Sequence, residues 1–552
     1  MHDFCTLKTT LNHQNVSIMK KLWTIIPLGL LAGIVFLGAG CSDKNEAEEE
    51  SSATGTNTET NYGDDSSDFV DEQTWNTTIN IVWNGTDVSV TGSADGVSVT
   101  NTNGYVTVKS TAKHIAYAVS GNGTGQLCIY SDYKYKLALE GLTLTCSDGP
   151  AINSQSKKTC YAVLGGTNIL SDGSSYATTT EDRKAAFFSE GQICFSGAGS
   201  LSVTGNYKHA LASDDYIRLC TGTGTIDLTA KASDGIHTND GVIINAGTLT
   251  IAAEGEGIQC DTSSVVITGG TISITSSTDK GILAYGNVEV SGGTIDITSK
   301  YKCIKSQGNL VVSGGAITAI ATATSSGGWG GQSSDGTPEG IEAKGTITIS
   351  GGKVYAQASD DAINSGGDMT ISGGYVMAYS TGNDGLDANG NCYIQGGVVY
   401  AIGANSPEVA IDANSEEKKQ LYLTGGTIVT LGSLENGASL SQSCYQTSSV
   451  SKNTWYALYS GSDLAFVFKT PNSFSSSTMV VSTSGTPSLV SGVTTGEGSS
   501  ILNGYGLTGA SVSGGSNVSL SAYSGGGGGP GGGGGGPGGG GGPGGGGGGP
   551  GH

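Results

Sequence analysis

The chain has 552 residues, 94 of them Gly, with only 13% charged residues and a formal net charge of −22. That is more chain than one compact core uses, so several domains or one long solenoid are expected, and the composition suits strands and tight turns and excludes a helix bundle. The acidic balance excludes nucleic acid and anionic lipid as partners and favours cations, or ligands held through them.

In chain order, the first feature is an address. Lys20 and Lys21 precede an apolar run from Leu22 to Gly40, followed by Cys41. This is the layout of a secretory signal, with Met19 as the expected start and residues 1–40 as the signal segment. Leu37-Gly38-Ala39-Gly40-Cys41 is similar to a bacterial lipobox, with Leu one place off its usual position, which makes Cys41 the expected lipidation site. A single transmembrane anchor is the alternative. Residues 41–75 are acidic and rich in Ser and Thr, the composition of a flexible tether.

Residues 76–140 carry short alternating segments such as Val97-Ser98-Val99 and Val106-Thr107-Val108, read as an N-terminal β cap. From residue 141 to 439 a repeat dominates. The motif Gly-Gly-x-[Ile/Val] recurs, as in Gly269-Gly270-Thr271-Ile272, Gly292-Gly293-Thr294-Ile295, Gly373-Gly374-Tyr375-Val376 and Gly425-Gly426-Thr427-Ile428. From Gly224 the second Gly advances by 23, 23, 23, 22, 37, 22, 23 and 29 residues. Allowing for insertions near Trp329 and Glu416, the period is 22 to 23. Each period holds two short alternating strands flanking the Gly pair and a third apolar piece, such as Gly257-Ile258 or Ala362-Ile363. Three strands and three turns describe one coil of a right-handed parallel β-helix, an all-β fold in which stacked coils share an apolar interior. Leucine-rich repeats, propellers and pore-type barrels fit neither the residues nor the period.

Residues 440–523 lose the period, and Trp455 to Phe468 reads as a hairpin within a small β domain that caps the open end. The tail 524–552 is nearly pure Gly with spaced Pro and is expected to be disordered. Nine cysteines from Cys128 to Cys444 contain no Cys-x-x-Cys pair. Cysteine-based zinc sites and thioredoxin-type redox chemistry therefore find no support. Buried small hydrophobes are the simplest reading, with a disulfide or two left open.

The third piece of each coil carries the chemistry. Asp234, Glu256, Lys280, Lys302, Glu339, Asp361 and Asp384 precede its small residue, and His237, Gln259, Leu283, Lys305, Glu342, Asn364, Asp387 and Asp412 follow its apolar one. Equivalent positions on adjacent coils stack about 4.8 Å apart. Two carboxylates at that spacing repel by roughly 1 to 3 kcal/mol. A hard cation offsets this, and Ca²⁺ suits carboxylate and carbonyl oxygens. The best single site is Asp360, Asp361 and Asn364 with Asp384 and Asp387; Glu339, Glu342 and Asp412 extend it, and a second candidate is Asp234, Asp240, Glu256 and Asp261. The alternative is that these residues only cap turns. Lys302, Lys305 and Tyr301 could grip an acidic sugar polymer or pair with neighbouring acidic coils. Trp329, in a Gly-rich insertion, could stack on a sugar ring or pack on its own coil.

The segments Ser233-Asp234-Gly235-Ile236-His237, Glu339-Gly340-Ile341-Glu342, Asp360-Asp361-Ala362-Ile363-Asn364, Asn383-Asp384-Gly385-Leu386-Asp387 and Ala410-Ile411-Asp412, set between Gly-Gly turns, together resemble the bacterial carbohydrate-binding β-helix proteins related to pectate lyases. The resemblance spans roughly residues 140 to 525. It implies bound calcium and recognition of cellulose-like or acidic pectic polysaccharide; apart from the resemblance, a monomer held to the membrane through its lipid alone is expected. It also raises a calcium-dependent lyase as an alternative. Asp360-Asp361-x-x-Asn364 resembles the lyase calcium motif with Asn for the last acid, but no Lys or Arg stands clearly beside it as a base; Lys344 and Lys353 are nearest in sequence. Binding is therefore preferred over catalysis. A surface adhesin stiffened by calcium is a third possibility.

Overall fold

A computed structural model describes residues 66–324, 336–523 and 525. Cys41, Trp329, the signal segment, most of the tether and nearly all of the tail lie outside these residues.

Parallel stacking starts earlier than the periodicity suggests. Thr77–Gly85 pairs in parallel with Ile115–Thr124, which pairs in parallel with Tyr135–Thr145. Two antiparallel hairpins, Thr77–Gly85 with Asp87–Thr91 and Val97–Thr102 with Tyr105–Ser110, flank this first turn. The region expected as a separate cap is thus the start of the solenoid itself.

A regular coil has three sides. In one, Ile236–Thr238, Val242–Ile244 and Thr248–Ala253 follow one another; in the next, Ile258–Cys260, Val265–Ile267 and Thr271–Ser276 stack on them in parallel. This parallel stacking is that of a right-handed β-helix. Inward residues form ladders: Ile226, Leu249, Ile272, Ile295, Ile317, Val354, Val376, Val399 and Ile428 are in register and buried. No single coil could shield these side chains; the stack does.

Two corners explain the glycines. The second Gly of each pair takes positive φ, as at Gly270 (φ +88°), and a Cβ there would lie 3.0 Å from the Gly247 carbonyl oxygen of the coil before. At the other corner, a Cβ on Gly257 would meet Ile274 Cγ2 at 2.2 Å. At Gly235, Gly257 and Gly281 the glycine is therefore required by the interior isoleucine that packs against it.

The expected hairpin is present as Trp455–Ser460 with Asp463–Lys469, inside a six-stranded antiparallel sheet. Met479–Ser482 covers the last long strand, Thr427–Leu431, by antiparallel pairing. The C-terminal domain does more than cap the end. Its Tyr456, Phe466 and Phe468 form a second core with Tyr355, Tyr379 and Tyr400 from the outer side of the solenoid. All nine described cysteines are free and buried.

Candidate functional site

The three-residue strands of the third side build a continuous polar face. Their central residues are in register: His237, Gln259, Leu283, Lys305, Glu342, Asn364 and Asp387. Isolated parallel bridges Leu386–Ile411 and Ile411–Leu434 carry the ladder on to Asp412 and Glu435. Alternation sends the flanking Ile or Leu inward and the central residue outward. The residue two places before each inward Ile or Leu forms a second row beside the first. The two rows divide into three stretches of different electrostatics.

In the first stretch, the expected site of Asp234, Asp240, Glu256 and Asp261 does not assemble as an acidic group. The Asp234 carboxylate lies 3.1 Å from His209 Nδ1 and 2.9 Å from His237 Nδ1, and its other oxygen accepts the Glu256 N–H at 3.0 Å. Burial opposes ionisation of Asp234, but its two imidazole partners hold its pKa below the ordinary carboxylate range. Asp261 accepts from Gln259 and reaches His237 Nε2 at 3.3 Å. Asp240 is exposed and accepts from Thr262, and Glu256 faces Lys280 at 3.4 Å. His209 escaped the sequence reading. It occupies the Asp234 position one coil earlier, where Leu211 is the register partner of Ile236, but that coil lacks the Gly-Gly signature.

In the second stretch the charges neutralise one another. Lys302 is 0% exposed and lies 2.6 Å from Glu339 and 3.3 Å from Glu342. Lys305 is 2% exposed, 3.9 Å from Glu342, which also binds Lys344. Lys302 and Lys305 are thus ion-pair partners inside the wall and present no surface to a sugar. Glu339 and Glu342 thus face lysines rather than other acids. Tyr301 is half-buried with Lys300 Nζ 5.0 Å from its ring centroid.

The third stretch is acidic and has no counter-charge: among the described residues, Asp360, Asp361, Asp384, Asp387, Glu408, Asp412 and Glu435 make no ion pair. The Asn364 amide donates to Asp361 and Asp387, at 2.9 Å each, and ties two coils together. Asp361 is also held by the Asp384 N–H at 3.1 Å, and Asp360 by the Asn383 amide at 2.8 Å. These bonds use Asp360, Asp361 and Asn364 as braces. The residues whose spacing could hold a cation lie one coil further on. One carboxylate oxygen from each of Asp384, Asp387 and Asp412 falls within 4.8 Å of the other two. Glu435, missed because the period breaks after residue 412, bonds to Asp412 at the far side.

Burial raises the carboxyls of Asp361, Asp384, Asp387 and Asp412. It lifts Asp387 to about 6 and Asp384 to about 8, the latter against the Val409 N–H that donates to it. Burial and the bond to Glu435 lift Asp412 to about 10. Asp361 is pushed well above the ordinary carboxylate range by burial and by its acidic neighbours. Oxygens bound to one Ca²⁺ at 2.3–2.6 Å are separated by at most about 5 Å. The spacing and the all-oxygen donor set of Asp384, Asp387 and Asp412 therefore fit Ca²⁺.

The solved structure of a polysaccharide lyase-like protein from C. thermocellum, a gadolinium derivative, is similar to this chain at 23% identity over 50% of it and 97% of that chain, with a TM-score of 0.36. No curated protein matches. The model of the family described as carbohydrate-binding domain-containing protein matches residues 102–288 and 283–388. These stretches cover more than half of the sequence and take in the polar face as far as Asp387. The chain belongs to this family of carbohydrate-binding domain-containing proteins.

Proposed function

We propose that this protein is a calcium-dependent polysaccharide-binding module, held at the bacterial cell surface through a lipid on Cys41 and recognising plant-type glycans, acidic ones such as pectin before neutral ones such as cellulose. The observation that carries the proposal is the convergence of Asp384, Asp387 and Asp412 with no basic partner. A chain of net charge −22 repels an acidic polymer. A Ca²⁺ ion held by these three side chains reverses the sign locally and leaves coordination positions for a uronate carboxylate. Asn364 and Asp361 keep the ligands at their spacing, as outer partners of metal ligands do.

Binding is favoured over cleavage. A lyase needs a basic side chain within reach of the α-proton of the sugar. Three lysines before the acidic stretch, Lys302, Lys305 and Lys344, all face Glu342. Affinity electrophoresis in gels containing polygalacturonate tests the reading. Retardation in Ca²⁺ that disappears in chelator, and is lost in Asp387→Asn, is the expected result. Equal mobility with and without Ca²⁺ rejects calcium-dependent binding, and steady release of unsaturated products identifies a lyase instead.

A further inference from the structure

The first stretch of the polar face has chemistry of a different kind. His209 Nδ1 and His237 Nδ1 approach the same Asp234 oxygen, at 3.1 and 2.9 Å, and the three atoms lie within 4.8 Å of one another. The two rings stack with centroids 4.2 Å apart and an angle of 24°. His209 Nδ1 accepts the Asp234 N–H at 3.3 Å, so its lone pair is in use as an acceptor. His237 lies between two carboxylates, with Asp234 at 2.9 Å from Nδ1 and Asp261 at 3.3 Å from Nε2, so without a metal it can donate to both. A metal ion at this point would take the place of the proton between His237 Nδ1 and Asp234 and use the His209 Nδ1 lone pair as well.

We infer that His209, Asp234 and His237 form a binding site for a late first-row divalent metal ion, with zinc as the reference ion. Imidazole nitrogen with one carboxylate is a donor set for zinc and its neighbours, whereas calcium takes oxygen. A tetrahedral ion with bonds near 2.0–2.1 Å sets its ligand atoms about 3.3 Å apart. The two nitrogen-to-oxygen separations already present, 3.1 and 2.9 Å, are close to that spacing. Asp261 acts as the outer carboxylate that fixes the tautomer of a ligating histidine. Both imidazoles keep 14% of their surface exposed, which leaves the fourth position open to water or a ligand. The site stands six coils from Asp387, about 29 Å along the stack at about 4.8 Å per coil, so it is separate from the calcium reading and does not depend on it.

The test is titration of chelator-treated full chain with Zn²⁺ by calorimetry, and with Co²⁺ by visible absorption, which reports the coordination directly. His237→Gln is the main variant, because Gln259 occupies the equivalent place on the next coil and shows that Gln fits there. His209→Gln is the second. The expected result is one Zn²⁺ per chain in the wild type, a Co²⁺ spectrum of tetrahedral intensity, and at least a 100-fold loss of affinity in both variants with unchanged circular dichroism. Asp261→Asn should weaken binding about 10-fold. Asp387→Asn should leave it unchanged. Absence of Zn²⁺ binding by the wild type, or equal binding by His237→Gln, overturns the inference.

Discussion

At the scale of single residues, the acidic stretch makes opposite demands with and without a cation. Burial and neighbouring acids hold Asp412 protonated at neutral pH, its pKa pushed up to about 10. Asp412→Asn substitutes a neutral donor for a neutral donor, so the melting temperature in chelator should stay within about 2 °C, the change expected from less than about 1 kcal/mol in a chain of this size. The calcium-dependent rise in melting temperature should vanish in the variant; calorimetry in Ca²⁺ and in chelator reads both. The pH dependence follows from the same groups. A carboxyl whose folded pKa is raised binds more protons folded than unfolded, so the stability of the protein without a cation falls as pH rises from about 4 through the folded value. Asp387 at about 6, Asp384 at about 8 and Asp412 at about 10 set this window. Calcium must displace those protons. Its affinity should therefore rise from pH 5 to pH 8, and calorimetry at pH 7 in buffers of different ionisation enthalpy should show proton release.

At the scale of elements, two features hold the coils. The corner glycines admit interior isoleucines, and Gly257→Ala places a methyl where Ile274 Cγ2 lies 2.2 Å away. Overpacking of this kind costs about 1–3 kcal/mol, and thermal unfolding should show a lowered midpoint for Gly257→Ala but not for the exposed, outward Ser273→Ala. The second feature is a clamp. The segment at residues 66–75 lies along the early coils, where buried Arg218 meets buried Asp68 at 3.0 Å and Trp75 packs edge-on against Tyr161. Removing one member of a buried pair costs about 3–5 kcal/mol. Arg218→Met should release the segment, visible as early cleavage before residue 75 in limited proteolysis of an otherwise resistant solenoid.

At the scale of the whole molecule, the solenoid was legible from its sequence because one period repeats: the Gly pairs and alternating Ile and Val give strand, turn and interior face without reference to tertiary contacts. The polar ladder was legible for the same reason, since register follows from the period. Partners within the ladder were not. Lys302 reads equally as a sugar contact or an ion-pair member, and only its complete burial beside Glu339 decides. His209 and Glu435 lie on coils where the Gly-Gly signature is missing or the period breaks, so nothing in the sequence aligned them with the ladder. The C-terminal domain, expected at the end, shares a core with Tyr355, Tyr379 and Tyr400 because those outward tyrosines on the long strands need cover that the coil itself does not provide. What the assembled molecule adds is a division of one face into a histidine stretch, a neutralised stretch and an acidic stretch. The central claim is that the acidic stretch holds calcium, and anomalous diffraction from a crystal grown with Ca²⁺ tests it most directly. The account predicts a peak within about 2.3–2.6 Å of carboxylate oxygens of Asp384, Asp387 and Asp412; a map with no peak among these three side chains would contradict it.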